Sequence, residues 1–545
     1  MATVPSPGWH APFDWRSPYL TPRTPVFGRN VVATSQPLAA QAGLHILRRG
    51  GNAVDAAIAA AAAITLTEPV SNGLGSDCFA ILWDGQQLHG LNSSGVAPAA
   101  WSAAYFADRH GGRIPLRGVD TVTVPGAVAG WHALHQRFGR LGFGDCLAPA
   151  IELAERGFAV APMVRQKWAA QVDELRTQPG FAEVFMPHGR APEIGERIRM
   201  PGAARTLRAL AERGARDYYE GEIAERLVAW LRAQGAAHTQ SDFAAYQPEW
   251  VGTISRRYRG YDVHEIPPNG QGIAALMALG MLEHFDLADL DPDSVACRHL
   301  QIEAMKAAFA DVYRYVADAR AMTEVTAADL LDDAYLAARA RLIDPKRATD
   351  FGHGRPPAGG TIYMSAADES GMMISFIQSN YMGFGSGVVM PELGISLQNR
   401  GQGFSLDPDS VNLVAPGKRP FHTIIPGFLM RDGAPQMSFG VMGGNMQPQG
   451  HVQTLVRMID HGQNPQAACD APRWKVNRGL SVDLEDAVPQ AVKQDLLAMG
   501  HQIEPVIDSY MDFGSGQFIW RLSDDREDGY VAASDSRRDG HAAVC

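Results

Sequence analysis

Cysteine is scarce in this chain. The 545 residues hold five, Cys78, Cys146, Cys297, Cys469 and Cys545, odd in number, far apart and without a CxxC pair. That pattern argues against both a disulfide framework and a zinc site. There is no basic surplus either. The 48 Lys and Arg are scattered among 59 Asp and Glu, for a net charge of −11, which leaves no nucleic-acid footprint. Long apolar runs are missing too. The most apolar window, 56–65, is too short to span a bilayer and is bounded by Asp55 and by Glu68 and Pro69, so it reads as a buried helix. Residues 1–16 show no basic start followed by an apolar stretch and are not read as a secretory signal. A cytoplasmic protein that binds neither membrane nor nucleic acid is the expectation. The familiar catalytic signatures HExxH, GxxxxGK[ST], GxSxG and a strict GxGxxG are all absent. No metal or organic cofactor is implied.

What is present is a large, well-punctuated apolar pattern, with 46% hydrophobic residues. Two helices are expected over 38–49 and from Asn52 onward, the first stopped by Gly50 and Gly51, the second opened by an Asn52/Asp55 capping-box-like pair. Further helical patterns cover 203–213, 220–233, 272–284, 295–316 and 326–342, while 251–266 alternates like one strand. After Gly360 the pattern turns to paired strands, 361–367 with 372–379 and 423–430 with 436–442. Helices at 448–461 and 488–499 follow, then strands at 517–522 and 529–533. Helices early and paired strands late suggest sheets held between helical layers, in one structural unit without repeats.

The segment before Thr361 is a run of small residues, Pro356-Pro357-Ala358-Gly359-Gly360, feeding straight into a strand. It reads either as an ordinary connecting loop or as a self-cleavage site. In the second reading the threonine hydroxyl attacks the Gly360 carbonyl, and glycine gives the peptide room for the required geometry. Cleavage frees an α-amine whose unperturbed pKa is about 7.7–8, so one residue supplies both nucleophile and general base. That accounts for a hydrolase without a serine-hydrolase signature. The glycine-rich pieces Gly383-Phe-Gly385-Ser-Gly387 and Gly440-Val-Met-Gly443-Gly444 read, on spacing alone, as turns between strands.

Several blocks together carry a resemblance. VATSQPLAAQAGLHILRRGGNAVDAAIAAAAAITLTEPVSNGLGSD over 32–77 resembles the N-terminal block of γ-glutamyltranspeptidases. GGTIYMSAADESG over 359–371 is similar to that family's processing site. GFGSG at 383–387, GKRPFHTIIP at 417–426, GVMGGN at 440–445 and ASDSRRDG at 533–540 follow in the family's order. The resemblance implies an α+β fold of the Ntn-hydrolase kind, a four-layer αββα sandwich. It also implies a precursor cut into a large subunit, 1–360, and a small catalytic subunit, 361–545, with Gly360 and Thr361 as the processing site. Thr361 is then the nucleophile, Ser379 the hydroxyl that activates it, and Gly443 and Gly444 the oxyanion-binding pair. A homo-oligomer is left open.

The substrate pocket departs from the family pattern. The arginine that clamps the γ-glutamyl carboxylate falls at Ser94, and the acid that holds the amino group falls at Gly403. An expected asparagine is replaced by Tyr381, with Asn380 adjacent, and the two carboxylate-contacting serines correspond to His422 and Thr423. The stretch 404–420 looks short for a lid loop, implying a more open site. Arg400 stands where the family has a neutral side chain, either as a new bidentate carboxylate clamp or as a structural arginine. His422 is either a donor to the substrate or a packed wall. The expected function is a self-processing N-terminal-threonine amidohydrolase cleaving γ-glutamyl-type or related small amide bonds through an acyl-enzyme. An oxamate-type amidohydrolase acting on a small carboxylate-bearing amide is the alternative. A catalytically inactive scaffold of the same fold is the alternative of another class.

Overall fold

The alanine-rich window becomes a helix, Ala53–Thr67, with every residue buried, and it follows a first helix at Pro37–Arg48. Asn52 and Asp55 make both capping bonds. Small side chains all round this helix let neighbours approach closely on every side. The computed structural model describes residues 23–351, 360–506 and 513–545. Residues 1–16 and the run 356–359 ahead of Gly360, both singled out above, lie outside the described residues.

Two seven-stranded sheets form the centre. One runs, edge to edge, Val26–Gly28, Tyr530–Ser534, Ser515–Arg521, Ala434–Met442, Gly427–Arg431, Tyr261–Glu265, Ile254–Tyr258. The other runs His541–Val544, Val31–Thr34, Gly360–Ala367, Met373–Tyr381, Asp77–Trp83, Leu88–Ser93, Glu249–Trp250. Side-chain alternation sorts the core into layers. In strand Gly360–Ala367, Tyr363 and Ala367 pack with Phe428, Met430 and Ile519 of the facing sheet. Ile362, Met364 and Ala366 instead join the helices Pro37–Arg48 and Ala53–Thr67. The outer face of the first sheet, through Leu429, Met437 and Phe439, packs on the helices Ile273–Leu282, Val295–Tyr315 and Met446–Ile459. Three apolar seams between four layers make the αββα sandwich.

Most expected elements form within a few residues of their sequence limits, including helices Pro201–Arg213, Glu222–Ala233 and Gln490–Ala498. Three differ. The single strand expected over 251–266 is a hairpin, because Arg259 and Gly260 both take positive φ, 47° and 87°. The helix expected over 326–342 is two short ones, Ala327–Leu330 and Asp333–Ala340, since the Asp332 side chain accepts the Tyr335 N–H and starts a new helix. The strand expected from 423 starts only at Gly427. Residues 422–425 give their main-chain groups to other partners: His422 to residues 269 and 271, Thr423 O to Gln271, and Ile425 N to Gln447. That diversion builds part of the site.

The chain approaching Thr361 from the N-terminal side is gripped by helix Val295–Tyr315. Glu303 accepts the Thr349 N–H at 2.9 Å, Lys306 donates to the Thr349 carbonyl at 2.8 Å, and a His299 ring nitrogen bonds the Asp344 carbonyl at 2.8 Å. The other His299 nitrogen meets His501 at 2.8 Å. No helix among the described residues is long and apolar enough to cross a membrane.

Candidate active site

Thr361 stands at a bulge near the head of its strand, where the register against Met373–Tyr381 shifts between Gly360 and Ile362. Its hydroxyl donates to Ser379 Oγ at 3.2 Å, and Ser379 Oγ also accepts the Tyr381 N–H at 2.8 Å. Ser379 pairs across the sheet with Asp77, and Tyr381 with Gly360. The hairpin sensed in the sequence thus delivers the two hydroxyls to one point between the sheets.

A third group meets the threonine. Gln447 Nε2 donates to Thr361 Oγ1 at 3.4 Å, while its Oε1 accepts the Ile425 N–H at 2.9 Å. Gln447 lies in the first turn of helix Met446–Ile459, directly after Gly443, Gly444 and Asn445. The two glycines take φ of 124° and 60°, which a side chain resists, and a Cβ on Gly443 would meet Gly514 Cα at 2.9 Å. A second buried glutamine, Gln271, donates to the carbonyls of Thr423 at 2.6 Å and Gly444 at 2.9 Å. With those carbonyls tied back, the glycine turn is fixed at the N-terminal end of a helix, where backbone N–H groups favour negative charge. Neither glutamine was singled out in the sequence. Their one signal was proximity to glycine, in GGNMQ and NGQG.

Beside this centre Arg400 is 1% exposed. Its Nη1 donates to Thr423 Oγ1 at 2.9 Å and its guanidinium carbon lies 4.8 Å from the centre of the Tyr381 ring. Nε and Nη2 have no partner among the described residues, nor has the Tyr381 hydroxyl. Burial pulls the Arg400 pKa down to about 10, against the opposing pull of Asp77, so it stays charged at neutral pH. Burial pushes the Tyr381 hydroxyl well above its ordinary range. Tyr381 is held at a φ of 80°, unusual for an aromatic residue.

Other candidates fall elsewhere. Asn380 alternates to the helix-facing side of its strand, where its amide accepts from Ser76 at 2.7 Å and donates to Ser396 at 3.3 Å. These bonds lie on the face of the strand opposite Ser379. His422 is fully buried, with Nε2 3.1 Å from Asp77 Oδ2 and Nδ1 facing the Ile424 N–H at 3.4 Å, edge-on to Phe79. Both ring nitrogens are thus engaged by protein groups. The Ser94 hydroxyl donates to Asn92 Oδ1 at 2.8 Å, and the nearby Arg419 is paired with Glu249 at 3.0 Å. At Gly403 a Cβ would come 2.6 Å from the Phe421 carbonyl oxygen, so this backbone has no room for an acid there.

Two groupings of metal-ligand type lie away from Thr361, Asp55–His135–Cys146 and His299–Glu303–His501. Asp55 is engaged by the main-chain N–H groups of Asn52, Arg140 and Leu141, and Glu303 by Lys306 and Thr349. The acid of each grouping is thus already held by protein partners.

The histidines make an acid prediction. Burial, aided by Arg400, holds His422 down to about 3, and burial, aided by Lys306, does the same for His501. Their unfolded value is about 6.5, so from that pH down to about 3 the unfolded chain binds more protons than the folded one. The stability they confer is complete above pH 6.5 and drains away as pH falls. The unfolding free energy from urea titrations is expected to drop between pH 7 and pH 5 by on the order of 1–2 kcal/mol per histidine. A His501→Asn variant should show a shallower slope, and an unchanged slope would count against the assignment.

Known proteins resemble this chain in sequence and in fold. Residues 39–545 match the profile of the family described as Gamma-glutamyltranspeptidase. The chain is 35% identical over 530 residues to the glutathione hydrolase-like YwrD proenzyme of Bacillus subtilis, covering 94% of this chain and 98% of that one. It is 38% identical over 520 residues to the oxamate amidohydrolase proenzyme of Klebsiella pneumoniae, with 93% and 96% covered. Among solved structures, the cephalosporin acylase from Bacillus halodurans superposes with a TM-score of 0.93 at 47% identity, covering 98% of this chain and 99% of that one.

Proposed function

This chain belongs to the γ-glutamyltranspeptidase family and is an acylase-like Ntn hydrolase, and from that footing we propose that it cuts itself before Thr361 and then hydrolyses small amides through an acyl-enzyme. In the first reaction Thr361 Oγ adds to the Gly360 carbonyl carbon, the C–N bond breaks, and the hydroxyl proton passes to the threonine nitrogen. Water then hydrolyses the ester, leaving a Gly360 carboxylate and a free threonine α-amine. In turnover that amine takes the Oγ proton as Oγ attacks the substrate carbonyl and hands it to the leaving amine. Water, deprotonated by the same amine, releases the acid.

The observation that carries this reading is the hydrogen-bonded pair of Thr361 and Ser379 hydroxyls, joined by Gln447 from the turn after Gly443 and Gly444. Ser379 orients the nucleophile, and the N–H groups of the glycine turn stabilise the oxyanion, each such donor being worth about 10²–10³ in rate. A scaffold that had lost activity would have no reason to keep this constellation. Among substrates a γ-glutamyl group is disfavoured, because Ser94 and Gly403 supply neither the arginine nor the acid it needs. Related small amides are favoured, the oxamate-type reading among them.

Purified wild-type protein on a denaturing gel, followed by N-terminal sequencing, tests it. Two bands are expected, the smaller beginning at Thr361. Folded protein that stays whole, or a fragment that begins elsewhere, overturns the proposal.

A further inference from the structure

We infer that Arg400 is the substrate's anchor, gripping a carboxylate on the acyl group side-on through Nε and Nη2, and that the site accepts acyl groups bearing a carboxylate and no ammonium. This deepens the Thr361 acyl-transfer reading and rests on it. The substrate class is the monoamides of short dicarboxylic acids, whose hydrolysis yields the dicarboxylate and an amine.

The geometry of the free donors is the starting point. Arg400 is buried, and among the described residues only Nη1 of its guanidinium is engaged, by Thr423. The two nitrogens left over, Nε and Nη2, form one edge of the guanidinium plane. Their parallel N–H bonds match the two oxygens of a carboxylate, the bidentate fork that arginine offers and lysine does not. A buried cation with two unmet donors is costly unless something meets them. The Tyr381 hydroxyl, also buried and unpartnered, offers another donor from the ring beneath the guanidinium.

The fork is tied to the reacting centre from both sides. Thr423, which holds Nη1, shares the Gln271 amide with Gly444 of the proposed oxyanion turn. Tyr381, under the guanidinium, gives its N–H to Ser379, the partner of Thr361. Tyr381 also pairs in the sheet with Gly360, the residue next to Thr361.

The same surroundings reject an ammonium group. The acid whose charge Arg400 feels is Asp77, and its oxygens are taken by His422 and the Gly126 N–H. At Gly403 the backbone excludes any side chain. An α-amino group brought in beside the carboxylate would meet the guanidinium with no free acid to offset it.

The test uses the wild-type enzyme with oxamate and succinamate as carboxylate amides, propionamide as a neutral amide and γ-glutamyl-p-nitroanilide as an ammonium-bearing one. Arg400→Met and Arg400→Lys are run beside it, and each sample's two-band pattern is recorded. The wild type should prefer a carboxylate amide over both comparison amides. Arg400→Met should shrink the kcat/KM ratio of carboxylate to neutral amide by about 30- to 3000-fold, the range for unpairing a buried charge contact. Arg400→Lys should recover only part of it. A wild type that favours the neutral or γ-glutamyl substrate overturns the inference even if the variants do not fold, and so does an Arg400→Met that lowers all substrates alike. An uncut wild type fails the Thr361 reading instead, so the two failures are separable.

Discussion

A Thr361→Ala protein is expected to run as one uncut 545-residue band and to lose amide hydrolysis by at least about 10⁴-fold. The substitution removes the attacking oxygen for both reactions, while the strand it sits in has no reason to change. Thr361 Oγ1 hydrogen-bonds with Ser379 and Gln447, and Tyr363, Met364 and Ala366 anchor the strand in the core regardless. Circular dichroism and urea midpoints should therefore stay close to wild type. Thr361→Ser, which keeps the hydroxyl, should still be cut, more slowly. If the alanine protein were cut at the same bond, the nucleophile would have to be another group and the mechanism would fall.

Asp535→Ala should remove about 3–5 kcal/mol of stability, the cost of leaving buried charges without their partner. Asp535 is fully buried. Oδ2 accepts from Arg473 Nη2 at 2.7 Å and the Gly516 N–H at 2.8 Å, and Oδ1 from Arg537 N at 2.9 Å and Nη1 at 3.1 Å. Against the upward push of burial, Arg473 and Arg537 hold its carboxyl well below the usual carboxylate range. A carboxyl depressed in this way stabilises the fold above its unfolded pKa of about 3.9, and the contribution is lost as pH falls through the folded value. The alanine variant should thus show its deficit at pH 7 and converge on wild type only in strong acid. Because Arg473 also holds the Phe513 carbonyl, next to the Gly514 that packs on Gly443, activity should fall with stability. Asp535→Asn, which keeps an acceptor but no charge, should fall between. Urea midpoints of the three proteins check this, and an alanine variant within about 0.5 kcal/mol of wild type would refute it.

The strongest local signals in the sequence were honoured by the fold. Glycine stops, the Asn52 cap and the pairing of 361–367 with 372–379 each depend on a few neighbouring residues, and each formed. What could not be read were features settled by distant partners. Arg259 accepts a left-handed turn that its residue type does not announce. Gln271 and Gln447 look like any polar residues until the fold places their amides on Thr423, Gly444 and Thr361. The block at 533–540 looked only like a family marker, and its Asp535 and Arg537 turn out to close a buried ionic network with Arg473 and Glu485. Arg400 was visible as a misplaced charge, but its two idle donors appear only once Thr423 is seen to occupy the third nitrogen. Asn380 lies one step along the strand from Ser379 and so on the opposite face.

The strand order of the second sheet has a consequence for the history of the molecule. Gly360–Ala367 lies between Val31–Thr34 and Met373–Tyr381, and Val31–Thr34 is itself clasped on its far edge by the C-terminal His541–Val544. Pieces divided at residue 360 would be interlocked like the fingers of two hands, with no seam along which to part. Before the cut, unfolding is a one-body event and the chain can retrace its path at any dilution. After it, denaturation releases two separate bodies, and reassembly must wait for a collision. The mature form would then be the residue of a folding event it cannot readily repeat. Its denaturation midpoint would depend on protein concentration, while that of the uncut Thr361→Ala chain would not.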